Sequence, residues 1–311
     1  MSGHDHAHHD HGPHGHQHGP VSHGRAFAIG TLLNAGFVAA EIGFGLAANS
    51  VVLLADAAHN LGDVLGLLMA WWAAWLTRRP PTPRRTYGWG RSSIMAALAN
   101  SVVLLISVGA IAVEALRRLV EPEPVGELTV IWVAAAGILI NGGTALMFMR
   151  GRAGDLNVRA AFLHMAGDAG VSAGVVVAGI LIGLTGWLWL DPVASLAIGI
   201  IILVTTWGVL RDSTDLAMDA VPGGIEREAV ETYLRGLTGV AEVHDLHIWG
   251  LSTTDTALTA HLVYAREEDC RGALVGIEAE IRRRFGIGHS TFQVETVADA
   301  EACRLRPENV V

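Results

Sequence analysis

Residues Val51–Thr77 read VVLLADAAHNLGDVLGLLMAWWAAWLT. As a helix rising 1.5 Å per residue, this stretch is long enough to cross the roughly 30 Å hydrocarbon layer of a bilayer. It nevertheless carries Asp56, His59 and Asp63. Placing His59 and Asp63 four residues apart puts them on one helix face. An ionisable side chain at the bilayer centre costs about 2.5–3.5 kcal/mol on insertion scales, so each needs a partner or a watered cavity.

A second apolar stretch repeats the spacing as His164-Met165-Ala166-Gly167-Asp168. Polar pairs also cement membrane helices by local hydrogen bonds, which would be a sufficient account of one pair alone. Duplication on separate helices favours a shared ion. Two imidazole nitrogens and two carboxylates, from His59, Asp63, His164 and Asp168, make a four-ligand set suited to tetrahedral Zn²⁺. The two carboxylates cancel the charge of the ion, which a low-dielectric interior tolerates. Glu41 and Asp56 are two further acids in apolar stretches and either line an ion path or serve packing.

Working outward, six apolar stretches are predicted to span: Ala26–Ala48, Val51–Thr77, Ser92–Leu116, Leu128–Met149, Val158–Leu184 and Pro192–Arg211. Composition agrees. Hydrophobic residues make up 51% of the 311 and charged residues only 16%, against about 25% in soluble domains. Arg78, Arg79, Arg84, Arg85 and Arg91 follow the second span, and Arg150, Arg152 and Arg159 follow the fourth. The connections after the first and fifth spans carry none, while Arg117 and Arg118 in the third are offset by Glu121, Glu123 and Glu127. This asymmetry predicts cytoplasmic N- and C-termini.

Three units follow. Residues 1–25 form a histidine-rich tail without the apolar content for a core, read as a linker or a weak metal binder. Residues 26–211 form the transmembrane domain. Residues 212–311 turn polar and read as helix Ile225–Leu237, strands Val240–Leu251 and Thr256–Tyr264, helix Asp269–Phe285 and strand Ser290–Val297. That αββαβ order predicts a small α+β sandwich. Cys270 and Cys303 lie in no CxxC pair and suggest neither a structural zinc nor a redox site. A net charge of −9 without a basic face argues against nucleic acid. The chain has no His-Glu-x-x-His helix, Gly-x-Ser-x-Gly elbow or phosphate-binding glycine loop, so the sequence does not read as an enzyme.

The chain resembles the cation diffusion facilitator family. The motifs that carry the resemblance are Leu53-Leu54-Ala55-Asp56-Ala57-Ala58-His59-Asn60, Tyr87-Gly88-Trp89-Gly90-Arg91, Arg117-Arg118-Leu119 and His244-Asp245-Leu246-His247-Ile248-Trp249. The resemblance implies a homodimer of six-helix protomers in a cell's inner or plasma membrane, with a metallochaperone-like cytoplasmic domain, exporting Zn²⁺ in exchange for protons. It maps the transport ligands onto His59, Asp63, His164 and Asp168. It also implies a regulatory cytoplasmic zinc on His244, His261 and Glu295, with a fourth ligand from the neighbouring protomer's N-terminus. The family often has an acid two positions after the loop Arg, where this chain has Ser93, so an ion pair there is expected to be missing. Arg91 is expected to pair with Asp219 instead, and the Arg78–Thr86 loop is expected to hold no metal. From another class, a membrane metal sensor or scaffold would carry the same ligands without translocation.

Overall fold

The computed structural model describes residues 24–149, 156–266 and 273–306. The histidine-rich tail, apart from its last two residues, and Cys270 lie outside them. Six long helices come first: α1 (Gly24–Ala47), α2 (Val51–Thr77), α3 (Ser92–Val120), α4 (Glu127–Phe148), α5 (Leu156–Thr185) and α6 (Leu190–Ala217). By length and apolarity α2 to α6 can each cross a membrane, and the described apolar part of α1, Leu32–Ala47, is shorter. Large apolar side chains such as Ile106, Trp132, Leu139 and Val204 point outward. An apolar exterior of this extent is what a lipid-facing surface requires.

One end of α2 is fastened by ions and caps. Asn49 takes a left-handed turn, φ 52°, between α1 and α2. Ser50 then caps α2, accepting from the Leu53 amide at 3.2 Å. Buried Asp191, in the first turn of α6, accepts from Ser50 Oγ at 2.6 Å and from the Val51 and Val52 amides at 2.8 and 3.4 Å. A carboxylate there satisfies amides that the helix itself leaves free and complements the dipole. Arg118 is a correction to the sequence reading, which put it in a loop. It is buried inside α3 and donates to Asn49 O at 2.5 Å, Asn49 Oδ1 at 2.6 Å and Glu114 Oε1 at 2.8 Å. With its donors occupied and its acid one turn back, the guanidinium continues the helix instead of ending it. Likewise, α6 runs six residues beyond the expected boundary at Arg211.

The C-terminal domain comprises α7 (Arg227–Arg235), β1 (Val240–Gly250), β2 (Thr256–Tyr264), α8 (Ala273–Phe285), β3 (His289–Thr296) and a short α9 (Val297–Ala302). The αββαβ order is as expected, with α9 added. Strand order is β1-β2-β3, antiparallel then parallel, and α8 makes the crossover. Val230 and Leu234 of α7 and Ile277 and Ile281 of α8 pack with Leu258, Ala260, Leu262 and Tyr264. Strand side chains alternate between faces, so His261 belongs to the opposite sheet face, away from α7 and α8.

Candidate metal centres

In the membrane domain, α2 and α5 bring their two pairs together. His59 Nε2 lies 3.0 Å from Asp168 Oδ1, while His164 Nε2 lies 3.4 Å from Asp63 Oδ2 and 3.7 Å from Asp168 Oδ2. The two imidazole rings are 6.4 Å apart, near perpendicular. Each cross-helix contact joins a His on one helix to an Asp on the other, so neither pair is merely a local contact within its own helix. His59, Asp63 and Asp168 offer ligand atoms within 4.8 Å of one another. His164 stands at the rim of this group, with its side chain 46% exposed against 6% for Asp168. Close helix approach is set by Gly62, where a Cβ would meet Leu104 Cδ2 of α3 at 2.4 Å. A cavity of about 450 Å³ lined by Gly66, Asn100, Ser252 and Asp255 reaches within a turn of Asp63 from the C-terminal domain.

The second cluster sits on the sheet face away from α7 and α8, where α9 packs on β2 and β3. His244 and His261 are direct cross-strand partners. His244 Nε2 is 3.2 Å from His261 Nδ1 and 3.3 Å from Glu295 Oε2, and His261 Nδ1 is 2.9 Å from Glu295 Oε1. All three are at least nine-tenths buried. Glu295 pairs with Val263 in the parallel register, one diagonal step from His261. Between His244 and His247 the ladder slips by one residue, and Asp245 takes φ 51°. This bulge aims Asp245 at His261 Nε2, 3.4 Å away, and at His247, 2.9 Å away.

Cys303 completes the group. Its Sγ lies 3.7 Å from His261 Nδ1, and His244, His261, Glu295 and Cys303 hold their ligand atoms within 4.8 Å of one another. Outside any CxxC pair this cysteine carries no zinc motif in the sequence, and in place of the fourth ligand expected from a neighbouring protomer the structure brings a thiol of the same chain. The available signal was a lone thiol just after the strand that carries Glu295. A capping box between Thr296 and Asp299 starts α9, and Cys303 is its C-cap residue. Those hydrogen bonds hold the Asp299 carboxyl below its usual range. Two imidazoles, a carboxylate and a thiol fit a borderline divalent ion such as Zn²⁺. Of the cluster-facing atoms, buried Glu295 Oε2 makes no well-directed hydrogen bond, as suits an oxygen available to an ion, and His244 turns its Nε2 toward the group while its Nδ1 faces Glu242 at 3.8 Å.

At the junction of the domains, Arg91 and Asp219 are in contact, both half exposed. Ser93, standing where an acid was expected, instead accepts from the Thr253 amide at 3.0 Å and donates to Gly90 O at 2.9 Å. Gly90 passes so near the C-terminal domain that a Cβ would meet Leu251 O at 2.6 Å. Among the described residues, no group of metal-ligating side chains occurs in the Arg78–Thr86 loop.

A helical membrane domain with charged side chains gathered between its spans, joined to a small α+β domain, defines an integral membrane protein of the ion-handling kind. Residues 27–216 match the cation efflux transmembrane domain and residues 222–297 the cation efflux protein cytoplasmic domain. The chain belongs to the cation efflux family. Among similar proteins, the metal cation efflux system protein CzcD of Cupriavidus metallidurans is 33% identical, over 89% of this chain and 88% of its own length. The cadmium, cobalt and zinc/H(+)-K(+) antiporter of Bacillus subtilis is 32% identical, over 91% and 93% respectively. Zinc transporter ZitB of Escherichia coli is 33% identical, over 85% and 84%.

Proposed function

We propose that the protein is a secondary active transporter that exports Zn²⁺ from the cytoplasm in exchange for protons, by alternating access around His59, Asp63, His164 and Asp168. The observation that carries this reading is the convergence of two His-x-x-x-Asp pairs, one from α2 and one from α5, inside the spans. The names of the similar zinc transporters and antiporters support both the substrate and the coupling. Metal binding requires neutral imidazoles and ionised carboxylates, so zinc and protons compete for the same atoms. His164 at the rim is suited to meet an arriving ion and the buried Asp168 to retain it. The cavity reaching Gly66 supports entry from the C-terminal side, and arginine placement supports cytoplasmic termini in a cell's inner or plasma membrane.

Regulation is assigned to the C-terminal cluster. His244, His261, Glu295 and Cys303 would hold a zinc ion supplied by this protomer alone, while the match to a family model named for a dimer supports a homodimer. Flux in proteoliposomes tests the reading. Uphill zinc accumulation driven by an imposed pH gradient is expected. Binding without flux would make the protein a sensor or scaffold, and flux that only follows the zinc gradient would make it a channel.

A further inference from the structure

One turn from His59 and Asp168, toward the Val51 end of α2, lies a second layer of polar side chains with no part in holding the metal. Glu41 of α1 and Asp56 of α2 are 0% and 1% exposed. Their carboxyls lie within hydrogen-bonding reach of each other. Asn60 donates to Glu41 Oε2 at 3.1 Å, and Ser172 Oγ donates to Asp56 Oδ2 at 3.0 Å. One oxygen of each acid is thereby satisfied. The others, Glu41 Oε1 and Asp56 Oδ1, are buried and have no donor.

The layers stack by helix geometry. Asp56, His59 and Asp63 rise along one side of α2, and His164, Asp168 and Ser172 along α5 at four-residue steps. Two ionised carboxylates facing one another in a dry interior repel, and acceptor oxygens without donors are costly there. A single proton between Glu41 Oε1 and Asp56 Oδ1 removes one charge and gives both oxygens a partner. The ionisable groups facing the pair are His59 on α2 and Asp168 on α5. Helix α4, which also packs on α1, has no ionisable side chain besides Glu127 in its first turn, and the charges of α3 and α6 lie near their ends.

We propose that Glu41 and Asp56 form a proton-sharing carboxyl pair that carries one counter-ion proton of metal transport, in addition to any displaced from the ligands, one helical turn from the metal tetrad. The proposal rests on the antiport reading. When a divalent ion occupies the tetrad, its positive charge favours loss of the shared proton. The O–H bond breaks, H⁺ passes to water, and two carboxylates remain to face the ion. After the metal leaves, their mutual repulsion draws one proton back.

The test uses the full-length protein in proteoliposomes with an internal pH dye, comparing wild type, Glu41→Gln and Asp56→Asn. In wild type, zinc entry should drive proton exit. With the membrane potential held at zero, each proton exchanged per ion contributes about a tenfold zinc ratio per pH unit, and in either variant the sustained ratio should fall by about that one factor while zinc affinity and downhill zinc flux persist. Coupled wild type with equally coupled variants overturns the pair and leaves antiport standing; a wild type that moves no protons overturns antiport and with it the pair's role. Infrared spectroscopy gives an answer independent of variant folding. The carbonyl band of a protonated carboxyl should be present in wild type at neutral pH and diminish on zinc addition. A band absent before zinc, or unchanged by it, overturns the proposal, as does its replacement by a sodium or potassium dependence of the carboxylate bands.

Discussion

The membrane tetrad and the C-terminal cluster draw on nearly the same donors, imidazole and carboxylate, yet differ in access. In the tetrad the side chains range from 6% exposed at Asp168 to 46% at His164. In the C-terminal cluster His244, His261 and Glu295 are all below 10%. The tetrad joins two separate helices with no backbone hydrogen bonds between them, whereas His244 and His261 are fixed by strand pairing. An ion held by adjacent strands exchanges through local opening of a sheet, while one held between helices exchanges when the helices move. On the transport reading proposed above, donor type would not distinguish a site that passes an ion from one that keeps it; the elements carrying the donors would.

The largest effect expected to break this contrast is at the tetrad. Asp63→Ala or Asp168→Ala should reduce zinc flux by more than about 100-fold, beyond the usual cost of losing a group that merely supports a ligand. Flux in proteoliposomes, with size-exclusion chromatography to check assembly, decides it; wild-type flux would remove these residues from the path. Cys303→Ser should weaken zinc binding at the C-terminal cluster by at least about 10-fold, the low end of the cost of losing even a supporting group, while tetrad-dependent transport continues. Titration of a variant already lacking Asp63, Asp168 and residues 2–23 isolates that site. If transport vanished instead, the two sites would not be separable.

A finer contrast concerns selectivity. His59→Asp replaces a single nitrogen in a fixed direction with a carboxylate able to bind through one or two oxygens. The ratio of Cd²⁺ to Zn²⁺ flux should rise while zinc transport persists, and an unchanged ratio would move discrimination into the surrounding packing. The smallest effect is at the junction. The half-exposed contact between Arg91 and Asp219 is worth at most about 1 kcal/mol. Arg91→Ala should leave thermal unfolding of the protein in detergent within a few degrees of wild type. A large drop would show that the junction relies on this contact more than on the Ser93 and Gly90 backbone contacts.

The membrane architecture was legible because spans need long apolar runs, and the tetrad because a helix converts a four-residue spacing into a shared face. Neither rule reaches Cys303, which meets His261 only after β3 and α9 fold back along the sheet. The bulge at Asp245 has no composition signal either, since the segment around it is strand-like throughout. Arg118 misled for an electrostatic reason. An arginine after an apolar run looks like the end of a span until Glu114 and Asn49 are seen to neutralise and fill it.

Asp191 gives α2 a mechanical character. With the amide end clasped by that carboxylate, any tilt of the helix would pivot near Val51. His59 sits about 12 Å from the pivot and Thr77 about 39 Å from it. A tilt that moves the tetrad by about 1 Å therefore swings the far end by about 3 Å. Were α2 to tilt as a rigid body, a shift at the ion as small as a change of ligand distance would reach the Thr77 end, which lines the cavity shared with Ser252 and Asp255, magnified about threefold.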